Sequence, residues 1–593
     1  MTESPTPTTL ALAAMAALAG ATLLPRAIRR VQLSLAKHRS LSGHSKMALR
    51  VARWLPGLRY DEAGFFDPDG APGDVLARRR AGFARLAATL KQRHAGSIEL
   101  TRQTRTGLSD LQFTGAYRVP PPFSAYLREH LSLGSFVQSS AGVGFTDLDG
   151  ERFFDLTGSY GVNLFGTDFY RSAIAEATRR SADVGLVLGQ YHPAVAYNVQ
   201  RLREVSGLDE VSFHMSGTEA VMQAVRLARY HTGRRKLVRF TGAYHGFWDD
   251  VQPGPGNPMP ARDTYTLKER DADTLRVLRS RRDIACVLVN PLQALHPNRA
   301  APGDSGLVDG VRSAGFDRAA TTAWLKALRE VCTARGIVLI FDEVFMGFRL
   351  APGGAQQYFG VQADMVTYGK TLGGGLPVGV VCGKAALMKR WRDERPADIC
   401  FARGTFNAHP TVMCAMQVFL ERLATPEVLS LYDGMDERWH GRADQLNARL
   451  EAAGVPVRVA AMGTVWTVLY TQPGQHHWML QFYLREKGLA LSWVGSGRMI
   501  FNLAWTDADF EEMAQRFVVA AQAMQADGWF WRDESLSAQF SAKAIRRRLL
   551  VQVLRTKLGL SDGRITAAQP SVLSHPQPNA GADAAPAHAP SGR

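Results

Sequence analysis

Six short runs rich in branched and aromatic apolar residues recur through the middle of the chain, at 210–214, 236–240, 284–290, 336–342, 364–368 and 378–383, and helical patterns alternate with them. Parallel strands need a crossover long enough to hold a helix, so this alternation predicts a mainly parallel sheet wrapped by helices. Beyond Val418 the pattern changes. A helical stretch at 429–452 precedes short strand-like stretches at 464–470 and 498–502, which suggests a smaller α+β domain at the carboxyl-terminal side. With 593 residues, 46% of them hydrophobic, the chain can bury a large core in several domains.

The run at 337–341 ends in Asp342-Glu343-Val344, and Lys370 follows in the glycine-rich turn Tyr368-Gly369-Lys370-Thr371-Leu372-Gly373-Gly374-Gly375. A lysine after a strand is ordinarily a solvated loop residue, and an aspartate there is ordinarily a cap or turn former. Together they match pyridoxal phosphate chemistry, where a lysine forms a Schiff base and a carboxylate keeps the pyridine nitrogen protonated, so that the ring accepts electrons from a breaking Cα–H bond. Three further segments agree. Met215-Ser216-Gly217-Thr218-Glu219 joins a strand-like run to a helical one, and a helix start of that kind binds phosphate, although Ser216 alone reads as an ordinary helix cap. Thr241-Gly242-Ala243-Tyr244-His245-Gly246 offers an aromatic ring between glycines that let the backbone come close. Gly404-Thr405-Phe406, with Asn407 and Pro410, places one more hydroxyl in a turn before a helix.

Taken in order, these five segments resemble class III pyridoxal phosphate-dependent aminotransferases of fold type I, and within them the glutamate semialdehyde aminomutase branch. The likeness runs from about Phe113 to Trp529. It implies a mainly parallel seven-stranded sheet in a large domain with a smaller α+β domain, and a homodimer. It also implies Lys370 as the Schiff-base lysine, Asp342 at the pyridine nitrogen, Val344 against the ring and Tyr244 stacked on it, with His245 beside it. Ser216, Gly217 and Thr218 match the phosphate loop, and Thr405 matches a threonine that reaches the phosphate from the neighbouring subunit. Ser159 and Tyr160, in Gly158-Ser159-Tyr160-Gly161, match the stretch that lines the substrate pocket. Arg498 stands where many of these enzymes hold a carboxylate-binding arginine, weighed against a plain surface residue. Phe345 replaces the glutamine that many members carry after Asp-Glu-Val, as in the aminomutase branch. The expected activity is transfer of an amino group between an amino donor and a keto or aldehyde acceptor, either small or carrier-bound. An intramolecular aminomutase and a catalytically silent membrane scaffold are the alternatives.

Five cysteines form no Cys-x-x-Cys pair, no His/Cys cluster has zinc spacing, and neither a P-loop nor a dinucleotide fingerprint is present, so no metal is expected. The net charge of +16 also suits nucleic acid, but no recognition motif supports that partner. Residues 8–25 form an uncharged Ala/Leu run followed by Arg26, Arg29 and Arg30, read as a hydrophobic N-terminal helix that attaches the enzyme to the cytoplasmic side of the inner membrane. Basic amphipathic stretches at 46–55 and 543–557 point to the same surface. The divisions expected are a membrane anchor at 1–40, a basic helical extension at 41–112, the N-terminal part of the small domain at 113–165, the cofactor-binding domain at 166–415, the small domain at 416–535, a basic amphipathic helix at 536–560 and a disordered Pro/Ala/Ser-rich tail at 561–593. The Pro/Gly/Ala-rich stretch at 294–320 is read as a long loop at the pocket entrance.

Overall fold

A computed structural model describes residues 7–38, 40–259, 262–293, 316–491, 497–560 and 565–567. Seven strands make the central sheet, β1 (Glu210–His214), β2 (Lys236–Phe240), β3 (Thr264–Leu267), β4 (Ile284–Val289), β5 (Val338–Asp342), β6 (Met365–Gly369) and β7 (Gly379–Gly383), in the spatial order β1-β7-β6-β5-β4-β2-β3. Only β7 runs against its neighbours, pairing antiparallel with β6 and β1. Every residue of β4, β5, β6 and β7 is buried. Helices on both faces explain why these strands read as continuous apolar runs rather than alternating ones. The weaker run of β3, Thr-Tyr-Thr-Leu, is absent from the six runs because it carries little apolar signal.

Register decides what the sheet can do. Asp342, the last residue of β5, lies opposite Thr367 of β6, so the chain leaves β6 at Lys370 just beyond the same edge. Gly379 at the start of β7 lies opposite His214 at the end of β1, which brings the loop before helix Gly217–Thr232 to that edge as well. The carboxyl ends of the parallel strands therefore converge, which is where open α/β sheets form their crevices.

A three-stranded antiparallel sheet of Val457–Met462, Val465–Tyr470 and Arg498–Ile500 lies next to helix Met435–Ala452. The helical pattern expected at 429–452 is broken by a left-handed Gly434, which separates it from a short helix, Pro426–Ser430. The expected boundaries at 112/113 and 415/416 fall inside helices Ser109–Tyr117 and Pro410–Leu423.

The ends of the chain interlock with this body. Arg79, fully buried, donates to both oxygens of Asp69 at 2.8 and 2.7 Å, to the Phe66 carbonyl at 2.7 Å and, from Nε, to the Gly528 carbonyl at 3.0 Å. Phe65 packs edge-on against both Trp478 and Trp529, Phe66 and Phe123 add tilted contacts to Trp529 and Trp478, and Phe83 packs edge-on against Phe65 and Phe66. Strand Leu58–Tyr60 pairs antiparallel with Ile565–Ala567, so the segment expected to be disordered from 561 onward carries a strand, while 568–593 lies outside the described residues. This pairing is a long-range constraint that composition alone does not reveal. The loop expected at 294–320 lies mostly outside the described residues, and its end is already helical, with Asp317 capping helix Arg318–Arg335 through the Ala320 amide at 2.9 Å. The apolar run at 8–25 belongs to helix Pro7–Leu35, where most side chains up to residue 22 are outside the described set. Among the described residues no helix is long and apolar enough to cross a membrane. The end of that helix instead docks on the large domain, where the Ala36 carbonyl accepts from the Lys268 amide at 2.8 Å and the Arg29 carbonyl from Arg281 at 3.4 Å.

Replacing Arg79 strands a nearly buried carboxylate at Asp69, and breaking a buried pair from one side costs about 3–5 kcal/mol. Arg79→Leu is therefore expected to lower the midpoint of chemical denaturation substantially. A wild-type midpoint would mean that the N-terminal helices contribute nothing to the stability of the body.

Candidate active site

At the convergent sheet edge lies a cavity of about 360 Å³ lined by Ser216, Gly217, Thr218, Tyr244, His245, Asp342, Val344 and Lys370 among others. The segments singled out at 215–219, 241–246, 342–344 and 368–375 are thus brought together, although they are spread over 160 positions of chain. Thr405 is exposed in a turn outside this lining, and Arg498 is on strand Arg498–Ile500, opposite Thr467, also outside it.

Asp342 is held from three sides. Its Oδ2 is 2.6 Å from His245 Nδ1, and its Oδ1 accepts from the Val344 amide and the Thr367 hydroxyl, each at 3.1 Å. The Asn290 side-chain amide donates to the Asp342 carbonyl at 3.3 Å. A carboxylate has about four lone-pair sites, so one remains open toward the cavity. His245 therefore meets the carboxylate rather than serving as an independent contact. Burial pushes the imidazole's pKa down, the bonded Asp342 opposes this, and buried Arg239 adds to the fall.

Lys370 adopts φ +48°, the left-handed region that a side-chain-bearing residue enters at a cost of about 1–3 kcal/mol. Placed at the first position of the short 3₁₀ turn Lys370–Gly373, its side chain turns into the cavity, with Nζ 5.9 Å from the centre of the Phe345 ring. Burial lowers the amine's pKa, Asp342 opposes the shift, and Arg349 reinforces it. A larger fraction of free amine is the result, which is the nucleophilic form.

Ser216 acts as the helix cap, its Oγ accepting from the Glu219 amide at 3.2 Å, while Glu219 returns a bond to the Met215 amide at 2.9 Å. That leaves the Gly217 and Thr218 amides among the first-turn N–H groups that have no partner within a helix, at the positive end of its dipole. Gly217 is required by space: a Cβ there would meet Val344 Cγ1 at 2.5 Å. Such an anion cradle, one open carboxylate site, one lysine and a half-exposed Tyr244 fit a phosphorylated pyridine aldehyde.

Ser159 and Tyr160 also take left-handed conformations, φ +45° and +57°, and the following Gly161 presses on the site, since a Cβ there would meet Phe345 at 2.6 Å and Lys370 Cδ at 3.4 Å. Arg349 and Glu343 were not singled out from sequence. Arg349, almost fully buried, donates to Thr464 Oγ1 at 2.9 Å, the Phe501 carbonyl at 2.7 Å and the Gly161 carbonyl at 3.3 Å, joining the small sheet to the pocket wall. The available signal was a lone arginine in the apolar run after Asp342. Glu343 accepts from the Ala355 amide at 2.7 Å. Burial pushes its carboxyl up to about 8, the Ala355 and Gln356 amides pull it down, and the Asp342 charge adds to the rise.

The aminotransferase class-III family model matches residues 125–521. A glutamate-1-semialdehyde 2,1-aminomutase from Nitratidesulfovibrio vulgaris strain DP4 is 36% identical over 355 residues, 57% of this chain and 77% of that protein. An omega-transaminase structure from Sphaerobacter thermophilus superposes with TM-score 0.58 at 26% identity, covering 72% of this chain and 98% of the other. A glutamate-1-semialdehyde aminomutase structure from Pseudomonas aeruginosa shares the fold at TM-score 0.61 and 20% identity, covering 76% and 99%.

Glu343 supplies a pH test. Its folded pKa is above the 4.5 of an ordinary glutamate, so its contribution to stability is complete below about 4.5 and is lost as pH rises through about 8. Glu343→Gln keeps an acceptor for Ala355 and removes the titration. Thermal midpoints of variant and wild type are expected to agree near the acid end and diverge toward the alkaline end, with the wild type falling more steeply. Parallel pH profiles would remove Glu343 from this role.

Proposed function

The chain belongs to the class-III aminotransferase family, and from that premise we propose how its residues share the work of a pyridoxal phosphate-dependent aminotransferase. Pyridoxal 5′-phosphate is the cofactor, and when bound it supplies an electron sink for the bond broken at the substrate carbon. Lys370 Nζ would hold the cofactor covalently and, as a free amine, would take and return the proton at the substrate carbon as base and acid. The Asp342 carboxylate, steadied by His245 and Thr367, keeps a proton on the pyridine nitrogen. The Gly217 and Thr218 amides would bind the phosphate, Val344 and Tyr244 would contact the ring, and Ser159 with Tyr160, just before the wall residue Gly161, would approach the substrate. The observation that carries this reading is the left-handed, half-buried Lys370 beside a carboxylate with one open lone-pair site. An intramolecular aminomutase is the second reading, favoured by the aminomutase relative and by Phe345 beside the lysine. A requirement for separate donor and acceptor separates the two.

Lys370→Ala is expected to reduce turnover by about 10²–10⁴-fold or more, with borohydride no longer fixing cofactor to the protein. Asp342→Asn should keep that covalent fixation while slowing proton removal severely. Normal turnover in either variant would overturn the corresponding role.

We also propose a homodimer with Thr405 serving the partner's phosphate. Thr405 is itself exposed, as a residue that serves a partner's site must be. Mixing Lys370→Ala with a Thr405→Arg variant, each inactive alone, is expected to restore part of the activity through one intact site per hybrid. No recovery together with a monomeric mass would overturn the proposal.

A further inference from the structure

Charge in this chain is strongly segregated. Between Glu3 and Asp61 lie nine lysines and arginines and no acidic residue, and between Glu534 and Asp562 lie six more, again with no acidic residue. The remainder of the chain holds 55 basic against 54 acidic side chains, so nearly all of the +16 belongs to two segments at opposite ends of the sequence. The fold joins them. Strand Leu58–Tyr60 pairs with Ile565–Ala567, Tyr60 donates to Gln552 at 2.8 Å, and Lys557 Nζ lies 4.9 Å from the centre of the Trp54 ring.

The two helices carried by these segments show the same division. In Ala538–Lys557, Ser541, Ile545 and Val553 are buried against the body. Leu550, Leu554 and Leu558, spaced by one turn, point the other way and are exposed, with Arg547 on the same face and Arg546 and Arg555 along its margins. Helix Ser45–Trp54 buries Ala48 and exposes Met47 and Trp54 among Lys46, Arg50 and Arg53. Like charges also crowd nearby, since Arg128 has its pKa lowered by burial and then by Arg105 and Arg59. A nucleic acid would use the cations but has no use for exposed leucines, and a protein core would use the leucines but not so many cations. An interfacial helix needs both.

We propose that the joined surface of helices Ser45–Trp54 and Ala538–Lys557 docks on an anionic lipid bilayer, its leucines and Trp54 entering the headgroup boundary and its arginines and lysines meeting lipid phosphates. The attachment lies in the interface plane and needs no spanning segment.

Full-length holoenzyme is expected to sediment with phosphatidylcholine vesicles containing about a third phosphatidylserine, to bind pure phosphatidylcholine weakly, and to be released at about 1 M salt, where the Debye length is near 3 Å. The double variant Arg546→Gln/Arg547→Gln should lose about thirtyfold in partition to anionic vesicles. Leu550→Ser/Leu554→Ser should lose at least about tenfold. Bound-cofactor absorbance and aminotransferase activity, unchanged in both, report an intact fold. Equal binding to both vesicle types, or leucine variants that bind like wild type, would overturn the proposal. So would leucine variants that change the oligomeric mass without affecting vesicle binding, or tight polynucleotide binding with no vesicle binding.

Discussion

Two adjacent parallel strands place opposite charges at one dry edge. β5 ends in Asp342 and β6 runs on into Lys370, and the register between them leaves no freedom in where those groups emerge. Burying either charge is costly unless it is partnered. The surroundings answer that requirement for the carboxylate with His245, Thr367 and the Val344 amide. The amine is managed differently: burial and Arg349 weaken its hold on its proton, while Asp342 alone works against them. The asymmetry anchors the carboxylate in place and primes the amine for covalent chemistry.

That edge also depends on close backbone approach. Gly217 sits so near Val344, and Gly161 so near Phe345 and Lys370, that a methyl group at either would displace a wall of the cavity. Arg349 then couples the wall to the small sheet through Thr464 and Phe501. The arginine makes this link by donating to two carbonyls and a hydroxyl.

Much of this was legible in the sequence. Strands β1, β2 and β4 to β7 announce themselves because a sheet covered on both faces demands unbroken apolar runs. Asp342, Lys370 and the start of helix Gly217–Thr232 are readable because turn chemistry and reactive side chains coincide there. Glu343 and Arg349 were not, because their importance lies in long-range burial that no local spacing encodes. β3 escaped notice for the opposite reason, being mostly threonine and tyrosine. The strand at 565–567 was invisible because its only signal is a partner at the other end of the chain. Ser216 shows that the plain reading and the functional one need not compete, for by capping the helix it leaves neighbouring amides available.

The pairing of the two chain ends has a consequence in time. Tyr60 meets Gln552 across 492 positions of sequence, and its strand meets residues later still. At about 5–20 residues per second, the ribosome needs roughly 25–100 s to make the second half of that contact after the first. For most of that interval the N-terminal helices have neither Gly528 for Arg79 nor Trp529 for the phenylalanine cluster. The cofactor-binding sheet, complete in sequence well before, can form while both ends are still open. The order of synthesis therefore allows the enzyme body to form before the two halves of the cationic surface are joined.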